Sequence, residues 1–338
     1  MGVFVFLPLV LPLTAWPVAR LAEQHLHPRT ATRLLTAMAA VLALCSTVCL
    51  GLVMVVGTAQ LPGNPLPDGW SDPEVRAAVP FDEVVGKAAI PALCAVVVAC
   101  ARTLWRHARV RRRAHRALAG LPDTEVAVLP DGAPYAYALP GGRRGGRALR
   151  GGRPGDTEPY GRAGRRVRGR RGGRVVVTTA LLDRLRPAER RALFAHERAH
   201  LAARHDRFLL TVQLAARANP FLRPLRTAVA YTAERWADEE AARAIGSRRT
   251  VARAIGTAAL VSRGTPASTL AGLAAPGPVP RRVAALLGPP PAVRTWPPVF
   301  TSVGLAAWGA AAGTAVSAMS SANSAVTMVL ILRAATPL

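Results

Sequence analysis

Lysine is nearly missing from this chain of 338 residues: Lys87 is the only one among 44 basic side chains, and arginine carries the formal charge of +25. Such a bias follows a gene's base composition more readily than a chosen chemistry, so the high charge does not by itself point to nucleic acid. Cysteine is scarce too. Cys45, Cys49, Cys94 and Cys100 all lie in apolar runs, which argues against a disulfide framework or a thiolate metal cluster and reads them as small buried hydrophobes. No basic residue precedes the first apolar run, residues 3–19, as one would in a cleavable signal peptide.

Apolar sequence is plentiful instead, at 51% of the chain. Residues 34–57 are uncharged and exceed the roughly 20 residues that a helix needs to cross a bilayer core. Residues 3–19 hold three prolines, which membrane spans tolerate where neighbouring helices satisfy the freed backbone groups. A third span is expected at 84–105, with Lys87 and Arg102 near its ends where they can snorkel, and a fourth within the uncharged stretch 295–332. Gly309 and Gly313 have GxxxG spacing there, a pattern that is more often incidental than a packing face in an alanine-rich helix. The loop 58–87 carries five acidic residues, whereas 102–116 holds seven arginines and no acid. By the positive-inside rule the basic stretch is cytoplasmic and both termini face outward.

The expected organisation is therefore three transmembrane helices within 1–105, a cytoplasmic domain over 106–295, and a fourth helix with a short tail over 296–338. Inside the domain, 125–129, 135–139 and 174–179 read as short strands, rich in Val, Thr or Tyr and bounded by Pro or Gly. Residues 141–174 hold twelve glycines and twelve arginines, too little apolar surface for a core, and read as a disordered insertion with anionic lipid as its candidate contact. A helix is expected from Pro187 to about 216, stopped by Asn219-Pro220, and a second from about 222 to 245, ending at Gly246.

The first of these helices carries His196-Glu197-Arg198-Ala199-His200. Residues four apart share a helix face, so both imidazoles can reach one metal ion, which lowers the pKa of a water molecule whose proton Glu197 accepts. The spacing arises by chance in roughly four of a thousand shuffled chains, so it is informative without being decisive. A third ligand is needed. Asp206 has the spacing of one familiar layout, but that layout requires a chain turn where Ala203 stands. On a continuing helix Asp206 and His205 both leave the face, so neither is expected as a ligand. Glu234 and Asp238 share a face of the next helix, beside Ala233, Trp236, Ala237 and Ala241. Glu234 is the preferred third ligand, ahead of Glu239 or Glu240, with its neighbour orienting a ligand from behind.

The ordered segments "PYAYALPG" (134–141), "RVVVTTALLDRL" (174–185), "LFAHERAHLAARHD" (193–206), "NPF" (219–221), "ERWAD" (234–238) and "VPRRVAALL" (279–287) resemble the BlaR/MecR-type integral-membrane zinc metallopeptidases and their heat-shock and CAAX-processing relatives. The resemblance implies a mainly α membrane protein with about four transmembrane helices and an inserted α+β, zincin-like (gluzincin) domain. It implies one Zn2+ per chain on His196, His200 and Glu234, Glu197 as general base, Asp238 behind the ligands, and a strand at Ala136, Tyr137 and Ala138 that pairs with an extended substrate. No penicillin-sensor domain follows the fourth helix in these residues. The resulting expectation is a multi-pass zinc endopeptidase of the cell membrane, cutting a cytoplasmic or membrane-proximal protein such as a transcriptional repressor. Its rivals are a membrane-protein quality-control protease and a catalytically silent scaffold with a basic lipid- or nucleic-acid-binding loop.

Overall fold

In the computed structural model, which describes residues 8–64, 66–77, 79, 82–122, 124–141, 173–262, 278–291 and 298–336, Pro12 and Pro17 fall in or beside a 3-10 turn at Leu11–Thr14. Helix α1 (Ala15–His25) follows and buries Ala15, Ala19 and Ala22. The described part of the run 3–19 is thus helical at 8–10, tightens through the 3-10 turn and continues as a helix to His25, while residues 1–7 lie outside the described set.

The next two apolar runs fold as long helices, α2 (Pro28–Ala59) and α3 (Asp82–Ala117). Pro28 fits the first turn of α2, and the His27 side chain accepts the Arg29 N–H at 3.3 Å. Helix α3 has 36 residues, about 54 Å at 1.5 Å per residue, so its arginine-rich end extends well past an apolar layer of about 30 Å. A Cβ at Gly57 would fall on the Gly86 backbone, so α2 and α3 approach to a separation that only glycine permits. Gly309 meets nothing and Gly313 makes only an ordinary contact with Leu11, as expected of incidental glycines.

The three short strands form one sheet in the order β1–β3–β2. Strand β1 (Val126–Leu129) runs parallel to β3 (Arg174–Thr178), and β2 (Ala136–Leu139) antiparallel to it. Val175, Val176 and Val177 are fully buried, which explains their place in the central strand. Arg174 pairs with Leu139 and belongs to β3 rather than to the expected insertion, of which residues 142–172 lie outside the described set.

Helices follow: α4 (Thr179–Arg184), α5 (Pro187–Ala203), α6 (His205–Ala218), α7 (Arg223–Ile245), α8 (Arg248–Val261), α9 (Val279–Leu287) and α10 (Ser302–Ala334). The single helix expected over 187–216 is in fact two. Arg204 sits at φ 56° and ψ 47°, the one non-glycine residue with positive φ among the described residues, at a cost of roughly 1–2 kcal/mol. Packing overrides local propensity here: α6 buries Val212 and Ala215 in a core shared with α1, α2 and α7, including Leu35, Leu42, Leu225 and Val229. Asn219 ends α6 as expected, its Oδ1 accepting the Phe221 N–H at 3.0 Å while its Nδ2 donates to Ser46 Oγ of α2 at 3.0 Å. Gly246, at φ 74°, caps α7 in the left-handed region that glycine enters freely.

Among the described residues three helices, α2, α3 and α10, are long and apolar enough to cross a membrane. Val97, Val98, Trp105, Leu305, Trp308 and Met319 point outward from α3 and α10, an apolar exterior suited to lipid. Cys94 is exposed on α3 too, which corrects the expectation that all four cysteines are buried; a weakly polar thiol on a lipid-facing surface needs no burial in protein.

Candidate metal centre

Helix α5 begins at Pro187, and Glu189 accepts the Arg186 N–H at 3.0 Å to close its first turn. Two turns on, His196 and Glu197 are buried and His200 is nearly so. Across from them α7 presents Glu234. The Nε2 atoms of His196 and His200 are 3.1 Å apart, and the Glu234 carboxylate lies 3.5 Å from the first and 3.4 Å from the second. Tetrahedral zinc with bonds near 2.1 Å would separate its ligand atoms by about 3.4 Å, so this donor set fits such an ion in both chemistry and spacing.

Behind the three donors sits a carboxylate–guanidinium pair. Asp238 Oδ1 is 3.0 Å from His196 Nδ1, although the ring N–H is not aligned on it as a hydrogen bond. Arg282 from α9 grips both Asp238 oxygens, at 2.8 and 2.6 Å, and its third nitrogen reaches Glu234 at 2.8 Å. One planar guanidinium therefore fixes the third donor and the residue behind the first. Helix α9 is itself held at its C-terminal end, where Arg248 donates to the Ala285 and Leu286 carbonyls at 2.6 and 3.1 Å. Neighbouring Arg281 binds Glu23 of α1 at 3.0 Å and lies over the Tyr231 ring.

The electrostatics describe a pocket built for a cation. Burial opposes charge on His196, but Asp238 and Glu234 outweigh it and raise the imidazole to about 10. Burial also opposes the Glu234 carboxylate, yet Arg282 and the histidines hold it well below the usual carboxylate range. His200 is pushed down to about 4, chiefly by burial. Glu197 is raised to about 7, again by burial, with His196, Arg282 and the Ala138 amide acting in the opposite direction.

Of the residues singled out from sequence, His196, His200 and Glu234 come together, with Asp238 behind His196 and Glu197 facing β2. Asp206 is not in the cluster, and Glu239 is instead engaged with Arg235 and Arg248. Strand β2 is an edge of the described sheet. Tyr135 exchanges bonds with Thr178 on β3, so the alternate residues Ala136 and Ala138 turn their backbone groups to the open side. The Ala138 amide faces the Glu197 carboxyl.

Two features escaped the sequence. Arg282 lies in the segment "VPRRVAALL" that carried the family resemblance, but nothing in an arginine-rich chain marks one arginine as buried. His205 leaves the ligand face only if the helix continues; with α5 broken at Arg204, it packs directly against His200.

The sequence profile of Peptidase family M48 matches residues 167–216, a stretch that includes β3, α5 and His196 through His200 and stops short of Glu234. No curated protein and no solved structure gives a significant match. The match and the histidine–glutamate triad identify the chain as a metalloprotease, and its long apolar helices make it a membrane protein in contact with lipid.

Proposed function

We propose that the protein is an integral-membrane zinc endopeptidase of the BlaR/MecR type, in which His196, His200 and Glu234 hold one Zn2+ and Glu197 is the general base. The observation that carries this reading is the convergence of three donors from α5 and α7 on one point, His196 buried and the other two nearly so, with Arg282 bracing the third. Zinc held by these residues would supply Lewis acidity toward a peptide carbonyl and a water molecule made acidic near neutral pH. Glu197 takes the proton from the attacking water and passes it to the leaving amine. Asp238 orients His196, and Arg282 keeps Glu234 ionised and in place. An extended substrate lies beside β2, taking main-chain hydrogen bonds at Ala136 and bringing its scissile bond past Glu197.

The arginines on the far end of α3 support a cytoplasmic site by the positive-inside rule, and in this reading the catalytic domain spans 106–295. The first apolar run, 3–19, is a further span in this reading. Substrates are then cytoplasmic or membrane-proximal proteins, a transcriptional repressor among them, and the arginine–glycine sequence between β2 and β3 has a composition suited to anionic headgroups. The test is cleavage of an unfolded protein substrate by the detergent-purified chain. Activity abolished by a chelator and restored by Zn2+ is the expected result. Cleavage indifferent to chelation, or none by zinc-loaded folded protein on any cytoplasmic candidate, contradicts the reading.

A further inference from the structure

Arginine is a poor residue for the left-handed backbone at position 204, where glycine would carry no penalty. On a continuing helix His205 would stand about 7.5 Å beyond His200 and roughly 140° round the axis. The break turns it back instead, so that its Nδ1 lies 2.9 Å from His200 Nδ1, the two rings nearly perpendicular. His205 is only 1% exposed. Its ring packs on Trp236, which stands between Glu234 and Asp238 on α7, and the guanidinium groups of Arg29 and Arg33 lie over the Trp236 ring.

Two imidazole nitrogens 2.9 Å apart share one proton, and the rest of the site decides who donates it. His200 directs Nε2 at His196 and Glu234. If His205 donated, the neutral His200 would carry its own proton on Nε2, in the middle of the donor cluster, and its lone pair would be lost to a metal. The compatible arrangement has His200 donating from Nδ1 and His205 accepting, which leaves His205 with its proton on Nε2. That atom is buried and has no partner among the described residues, at a cost of about 1–3 kcal/mol. An unpaired N–H and a left-handed arginine are thus adjacent, and both accompany the seat of His205 behind His200 that the docking of α6 creates.

The geometry points to His205 as a positioning residue: it accepts the His200 Nδ1–H, fixes the tautomer whose Nε2 faces Glu234, and so holds the second histidine ready to bind metal. This rests on the reading of His200 as a ligand. A carboxylate or carbonyl is the common partner at such a position. A neutral imidazole does the same orienting without adding a fourth negative charge to a site that already holds Glu197, Glu234 and Asp238.

The test uses the full chain in detergent, zinc affinity measured by competition with a chromophoric chelator, and the visible spectrum of the Co2+-loaded protein. His205→Phe keeps a ring against Trp236 and removes the acceptor; His205→Asn places its amide oxygen where Nδ1 stood. Zinc affinity is expected to fall about 10–100-fold in His205→Phe, with a changed Co2+ spectrum, and to recover largely in His205→Asn. A His205→Phe variant that melts like wild type and keeps wild-type affinity and spectrum overturns the proposal, as does an equal loss in both variants, which would assign the effect to packing. His200→Ala reports separately on the ligand reading. If it binds zinc as wild type does, or wild type binds none, the ligand assignment falls first and takes the positioning role with it.

Discussion

Glu197→Gln is expected to lower the peptidase rate by about 10²–10⁴-fold while leaving zinc content at the wild-type level, since the amide keeps the shape of the side chain and loses only its basicity. The same substitution should stabilise the metal-free protein. Burial raises the Glu197 carboxyl from 4.5 to about 7, so its folded pKa lies above its unfolded one. The cost of burying the carboxylate is absent below pH 4.5, grows between 4.5 and 7, and is constant above, where it amounts to roughly 3 kcal/mol. Metal-free Glu197→Gln should therefore melt above wild type at pH 8 and together with it at pH 4. A variant that retains full activity removes Glu197 from the chemistry; one that melts lower at pH 8 contradicts its burial as a strained base.

Arg282→Met carries the other large effect. The guanidinium is 5% exposed and satisfies two buried carboxylates, so its removal leaves Glu234 and Asp238 uncompensated, at a cost on the order of 3–5 kcal/mol. Burial raises the Asp238 carboxyl and Arg282 more than offsets it, leaving its folded pKa below the ordinary value. That stabilisation is complete at neutral pH and disappears as pH falls through and below the usual carboxylate range. The difference in melting temperature between wild type and Arg282→Met should therefore be largest at neutral pH and shrink on acidification. Lysine should not rescue, because one ammonium cannot bridge two carboxylates as the planar fork does. A thermal melt across pH checks this, and a neutral Arg282→Met at pH 7 would contradict it.

The parts of the fold that could be read in sequence are those encoded locally. The length and lack of charge of the apolar runs point to α2, α3 and α10, Val-, Thr- or Tyr-rich stretches bounded by Pro or Gly point to the three strands, and helical spacing puts His196 with His200 and Glu234 with Asp238. What was missed depends on contacts remote in sequence. The segment "HLAARHD" contains good helix formers and no glycine, so the break at Arg204 has no local cause; it comes from α6 docking in the core it shares with α2. Arg282 is 44 residues from Asp238, and its burial depends on α9 being held by Arg248 and Glu23. Gly57 and Gly86, in two different apolar runs, likewise become a pair only when the helices cross.

Zinc per chain in the detergent-purified protein tests the central claim most directly, with wild type measured beside His200→Ala and Glu234→Ala. The predicted result is about one zinc in wild type and a lost or much weakened ion in both variants. Zinc retained in Glu234→Ala but lost in His200→Ala would contradict the third ligand, and a folded wild type that takes up no zinc would contradict the site as a whole.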